Sequence, residues 1–148
     1  MRTLALLLLV GLGLAPEAGA QALAVSPSGV DIQVPFTGVG FGTGVDTGSL
    51  LRWRGLLFSQ TKVTVETVTP AQAYGLSVQA TSPYLGRSAG RVVLQDGAPA
   101  RDLVTDIPGT ILFLFLEGRA TLRYEATVTG MPASGSDDHT VVYTITQQ

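Results

Sequence analysis

Cysteine is absent from this chain, histidine and lysine each occur once, and no apolar run approaches the length of a bilayer-spanning helix. Each shortage removes a class of protein. Without cysteine there is no disulfide framework, no thiol nucleophile and no lipid-modified cysteine anchor, so an exported domain would rest on core packing and sheet hydrogen bonds. With His139 the only imidazole and no serine in a Gly-x-Ser-x-Gly setting, the sequence offers no nucleophile paired with a base. We therefore expect no enzyme and no cofactor. Eight of the nine basic residues are arginine, the exception being Lys62, and they are scattered along the sequence. No basic stripe is interleaved with aromatics, so nucleic acid is not an expected partner.

What is present begins with an export signature. Arg2, the apolar run Leu4 to Leu14, Pro16 and the small residues Ala18-Gly19-Ala20 have the layout of a secretory signal peptide cleaved before Gln21. The run is well short of the roughly 20 residues that a spanning helix needs. The expected organisation is a signal peptide over 1–20 and one domain over 21–148. The expected destination is periplasm, cell surface or extracellular space, with no membrane span in the mature chain.

The mature chain is patterned in twos. From Arg119 to Thr129, Ala120, Leu122, Tyr124, Ala126 and Val128 alternate with polar residues, which predicts one long half-exposed strand. A second strand is expected over His139 to Thr146, with the turn-rich Gly130 to Asp138 between them making a C-terminal hairpin. Val30, Ile32 and Val34 predict a strand that Pro35 ends or confines to a sheet edge, and Lys62 to Val68 another. Tyr74 to Ala80 reads as a strand closed by Ser82-Pro83, and Arg91 to Gln95 as one closed by the Asp96-Gly97 turn. Ala98 to Pro108 is less regular, with Leu103, Val104 and Ile107 as buried points, and suggests a bend or a one-turn helix. The glycine-rich Gly38 to Gly48 matches neither a dinucleotide fingerprint nor a P-loop and is expected to be a flexible connection or irregular edge. Within Leu50 to Phe58, Leu51 and Trp53 are expected inward and Arg52 and Arg54 outward, the alternative being a Trp-Arg contact surface.

Seven to nine such strands with no helical period predict an all-β fold, an immunoglobulin-like or fimbrial-type antiparallel β-sandwich, with a small β-barrel as the alternative. Two stretches bear on function. Asp137, Asp138 and His139 cluster, but their spacing fits no cation loop, so no metal is expected there; a solvated loop with an aspartate setting up the next strand is. Thr110 to Leu116 is apolar on both faces, with Ile111, Phe113 and Phe115 on one and Leu112, Leu114 and Leu116 on the other. Burying each Leu or Phe is worth about 1.5–3 kcal/mol. The second face is therefore covered either by loops of the same chain or by another subunit. Leu112, Leu114 and Leu116 are the candidate self-association residues, and the apolar lead Leu23 to Val34 is a candidate exchange strand.

The final stretch Pro132 to Gln148 (PASGSDDHTVVYTITQQ) resembles the ending of secreted bacterial fimbrial and spore-coat-U-type domains, in which a loop containing proline, glycine and aspartate leads into a terminal Thr/Val/Tyr strand. The resemblance implies an immunoglobulin-like surface subunit without catalysis, assembled by strand exchange. The expected function is an exported structural or adhesive surface module that self-associates or joins other surface proteins in a pilus-like assembly. The alternative is a periplasmic or secreted small-ligand-binding domain, which would hold a concave apolar pocket.

Overall fold

The computed structural model describes residues 3–7, 22–36, 40–54, 59–69, 72–109, 117–128 and 137–148. Eleven strands are found among them and no helix: β1 Thr3–Leu7, β2 Ala22–Ser26, β3 Gly29–Gln33, β4 Gly44–Arg54, β5 Thr61–Val68, β6 Tyr74–Tyr84, β7 Arg87–Ser88, β8 Arg91–Leu94, β9 Arg101–Ile107, β10 Gly118–Val128 and β11 Asp138–Gln147. One sheet has the order β3-β1-β11-β5-β9-β7 and the other β2-β4-β10-β6-β8. All pairings are antiparallel except that of β1 with β11. The fold is an all-β sandwich.

The period-2 pattern explains the layers. On β10, Ala120, Leu122, Tyr124 and Ala126 are buried while Arg119, Thr121 and Arg123 are exposed. Leu51 and Trp53 of β4, Leu76, Val78 and Ala80 of β6, Val141 and Tyr143 of β11, and Val63 and Val65 of β5 supply the rest of the central core. Alternation brings these faces together because only one side of each sheet can be removed from water by the other. Trp53 is buried, as its apolar neighbours predict, so the Trp-Arg contact surface does not form through the indole. The ring lies against Gly118, where an added Cβ would collide with its Nε1 and Cε2. Glycine here lets the start of β10 approach the indole closely.

Four sequence expectations are corrected or narrowed. First, β10 and β11 do not form a hairpin. β10 lies between β4 and β6 in one sheet and β11 between β1 and β5 in the other. Each strand has one apolar face, and the two faces meet across the core, where the Tyr124 and Tyr143 hydroxyls are 2.6 Å apart. Second, of the two readings of the glycine-rich stretch, the irregular edge and not the connection holds for its second half, since β2 pairs only with residues 50–54 of β4. Gly44–Gly48 opens the long strand β4, and the register with β10 shifts between Leu122 and Tyr124. Glycine accommodates the resulting bulge. Third, Ser82-Pro83 does not end β6. Ser82 takes φ of 48° and the strand continues to Tyr84, opposite Arg119. Fourth, 101–107 is a strand and not a bend or helical turn. Its irregularity is a pair of register shifts against β5, which lets the adjacent Leu103 and Val104 both be buried. Thr110 to Leu116, with Leu112, Leu114 and Leu116, lies outside the described residues.

The buried tyrosine pair yields a test. Both phenols are pushed above their usual range, chiefly by burial, and remain protonated through neutral pH. Removing either hydroxyl leaves the other without its partner. Tyr124→Phe and Tyr143→Phe should each destabilise the fold by about 1–3 kcal/mol, and the double variant by less than their sum. Urea melts of the four proteins measure this cycle.

Candidate functional site

Two places combine unusual geometry with polar or open backbone groups: the end of the sandwich around His139, and the position of β1 between β3 and β11.

At the first, the chain crosses from β5 to β6 and is held by side chains remote in sequence. Asp96 Oδ1 accepts the Thr69 amide at 2.8 Å, and Asp137 Oδ2 accepts the amides of Ala73 and Tyr74 at 2.6 and 2.9 Å. Gln72 Nε2 donates to the carbonyls of Tyr74 and Leu94. Asp138 is exposed, whereas His139 is fully buried. The expected solvated loop is thus corrected at His139, which the alternation of β11 turns into the core. The expectation that an aspartate sets up the next strand is corrected as well, because Asp137 accepts amides at the start of β6 and not of β11.

The hydrogen-bond directions follow from counting protons. Thr67 Oγ1 donates its one proton to the Thr140 carbonyl at 3.2 Å. Its contact with Thr69 Oγ1 at 3.2 Å must then be donated by Thr69. Thr69, its proton spent, can only accept at 3.0 Å from His139 Nδ1. The imidazole is therefore the Nδ1–H tautomer, and its Nε2 has no hydrogen-bond partner among the described residues. That nitrogen lies 3.9 Å from Asp137 Oδ2. Burial nevertheless dominates and lowers the pKa of His139, with Asp137, Asp138 and Asp96 opposing it. His139 is thus a buried histidine that holds the β5–β6 crossover through Thr69.

At the second place, the residues concerned belong to the stretch with signal-peptide character. β1 pairs antiparallel with β3, from Thr3 opposite Gln33 to Leu7 opposite Gly29, and parallel with β11, from Ala5 opposite Asp138 to Leu7 opposite Thr140. Among the described residues β3 has no other partner in its sheet. Its Val30 and Ile32 are nonetheless buried in the core. In register across the three strands, Ala5 stands between Asp31 and Asp138, both exposed. The apolar lead Leu23 to Val34 is not a free arm. Ala22–Ser26 pairs with β4 at the edge of one sheet, and after the Pro27-Ser28 turn Gly29–Gln33 joins the other.

A shallow groove beside β5 and β8, lined by Val65, Thr67, Leu94, Ala98 and Pro99 among others, has a cavity volume of about 10 Å³ and is open to solvent. Small-molecule pockets more often span about 300–1,000 Å³. No helix among the described residues is long and apolar enough to cross a membrane. No family model matches the chain, and neither does any curated protein sequence.

His139 makes the fold pH-dependent. Its folded-state pKa lies below 6.5, so as pH falls through 6.5 the unfolded state takes up a proton that the folded state refuses. Stability is therefore complete above that value and declines below it, by at most about 1.4 kcal/mol per pH unit. Urea midpoints measured between pH 7.5 and 5.5 should fall for the native protein, and the fall should be smaller in His139→Gln.

Proposed function

We propose that this protein is an exported, non-catalytic structural or adhesive surface module, a subunit of an assembly joined by strand insertion between β3 and β11. The observation that carries this reading is the position of β1. Residues 3–7 fill a strand position inside a sheet, yet their sequence belongs to the segment expected to be removed on export. Their removal would leave β3 without a strand neighbour and β11 with an open main-chain edge beside a buried core. Unpaired strand edges of this kind are templates for another chain.

Closure within one chain is disfavoured by charge. If β3 moved directly against β11 in the present register, Asp31 and Asp138 would become cross-strand neighbours, and like charges so placed are destabilising. An inserted strand keeps them two strand spacings apart, about 9–10 Å. The lead strand of a second copy suits the gap. Ala22–Ser26 (ALAVS) has the same five-residue length as Thr3–Leu7 (TLALL) and the same Leu-Ala-aliphatic centre. Placed residue for residue, its Ala24 would stand where Ala5 stands, between the two aspartates. The donor's β4 would then become an edge, guarded by the exposed Arg52 and Arg54. The resemblance of Pro132 to Gln148 to fimbrial and spore-coat-U-type endings supports the same reading. Leu112, Leu114 and Leu116 remain candidates for a second contact between subunits.

The test is the mass of the exported protein by light scattering, alone and with residues 21–29 deleted. The expected result is a mass of at least two chains at high concentration and loss of that association in the deletion. The proposal fails if the exported chain is strictly monomeric at high concentration, or if the deletion leaves association unchanged.

A further inference from the structure

The arginines that are scattered in sequence are gathered by the fold. β10 places Arg119 opposite Arg52 of β4 and opposite Tyr84 of β6, making one row across three strands. Four residues further along β10, a distance of about 13–14 Å, Arg123 stands opposite Gln79, and Gln79 opposite Arg91 of β8. Between these rows lies one of Leu50, Thr121 and Thr81. Arg54, two residues beyond Arg52, points to the same outer side, since Trp53 between them is buried.

Two glutamates share this face, and neither neutralises it. Glu117 lies 3.7 Å from Arg52 and 3.9 Å from Arg54. Glu125 is divided between Arg91 at 2.9 Å and Arg123 at 2.7 Å. Arg119 has no carboxylate within ion-pair distance among the described residues, and its guanidinium lies 5.9 Å from the centre of the Tyr84 ring. Five arginines against two glutamates leave a surplus of three positive charges on one sheet face of a chain whose formal net charge is −2. The other four basic and nine acidic residues carry a deficit of five. The direct pairing of Arg52 with Arg119 is itself unfavourable, and Glu117 offsets it only on the Arg52 side.

We infer that the outer face of the β2-β4-β10-β6-β8 sheet binds an acidic polysaccharide, a linear polymer bearing carboxylates or sulfates. Arginine presents a planar fork that engages such groups through two hydrogen bonds. The row between the cationic rows offers Thr121 and Thr81, and Gln79 lies within the second, giving donors and acceptors suited to sugar hydroxyls. Tyr84, 49% exposed at the end of the first row, offers a ring face. A single-stranded nucleic acid would call for several stacking aromatics, and this face has one. A duplex groove calls for a protruding helix or ribbon, and the face is a broad sheet. A lipid surface calls for several large apolar side chains to insert, and the large exposed ones here are Val45, Val93 and the single aromatic Tyr84. The opposite sheet of a second copy mixes Lys62, Arg87 and Arg101 among its acidic groups, with Lys62 and Arg87 already paired to Asp102 and Asp106.

The experiment measures binding of the full chain to polygalacturonate and to dextran sulfate, with neutral dextran as control, at 50 and 300 mM salt. Binding to at least one charged polymer is expected at low salt and should fall steeply at high salt. The variant Arg52→Ser/Arg119→Ser/Arg123→Ser should weaken it at least tenfold. The charge-matched variant Lys62→Ser/Arg87→Ser/Arg101→Ser, on the opposite sheet, should weaken it less than twofold. Thermal melts check that both variants fold, and single Arg119→Ser replaces the triple variant if it does not, with an expected loss of at least threefold. The inference is overturned by absence of binding to both charged polymers at 50 mM salt, or by equal loss in the two triple variants. It is also overturned by tighter binding to a single-stranded oligonucleotide or to phosphatidylglycerol vesicles than to either polysaccharide. None of these outcomes depends on whether strand insertion joins the subunits.

Discussion

The contact between the Tyr124 and Tyr143 hydroxyls is where the two sheets of this cysteine-free sandwich are fixed to one another. Each tyrosine is at the centre of a long strand, each is buried, and each would be costly to bury with its hydroxyl alone. Their pairing therefore demands that β10 and β11 meet at one relative position. Hydrophobic burial supplies the attraction between the sheets but is indifferent to small slips. The shared proton is not. Leu122 and Ala126 on one strand and Val141 and Ile145 on the other are placed by the same requirement, because side-chain direction alternates away from each tyrosine.

How much of this was legible in the sequence depends on the range of the cause. Alternation is local, and it gave the buried faces of β3, β6 and β10 residue by residue, and the inward Leu51 and Trp53 of β4. Strand pairing is not local. Two adjacent strands with apolar faces can form a hairpin or face each other across a core, and the residues of β10 and β11 are compatible with both. The choice lies in the neighbours each strand takes, β4 and β6 for β10 and β1 and β5 for β11. Departures from alternation were also hidden. Leu103 and Val104 are adjacent and both buried, which suggests helix or bend in isolation and becomes a bulged strand once β5 is beside it. Ser82-Pro83 has a breaker's sequence but sits in a strand as an irregularity, with a positive φ at Ser82 and a register shift against β10 beside it.

The candidate sites divide in the same way. Asp137, Asp138 and His139 are contiguous and were visible as a cluster, but their separation into an amide acceptor, an exposed carboxylate and a buried imidazole depends on the crossover between β5 and β6. The arginine face went unseen because its members are up to seventy residues apart. A signal was nevertheless there: Arg52 and Arg54 share a parity, as do Arg119 and Arg123, and each pair flanks a buried partner on its own strand. The position of β1 had no sequence signal, since an apolar leader and an apolar strand look alike over five residues.

The far edges of the two sheets have a consequence for the shape of anything built from this subunit. On the side away from β3, one sheet finishes in the two-residue strand β7 and the other in the four-residue strand β8. Both begin with an arginine engaged with a carboxylate, Arg87 with Asp106 and Arg91 with Glu125. Edges so short and so charged offer little main chain to another strand. Under the proposed strand insertion, main-chain pairing would be confined to the flank that carries β2 and β3, which favours a single-file fibre over a ribbon or a two-dimensional array.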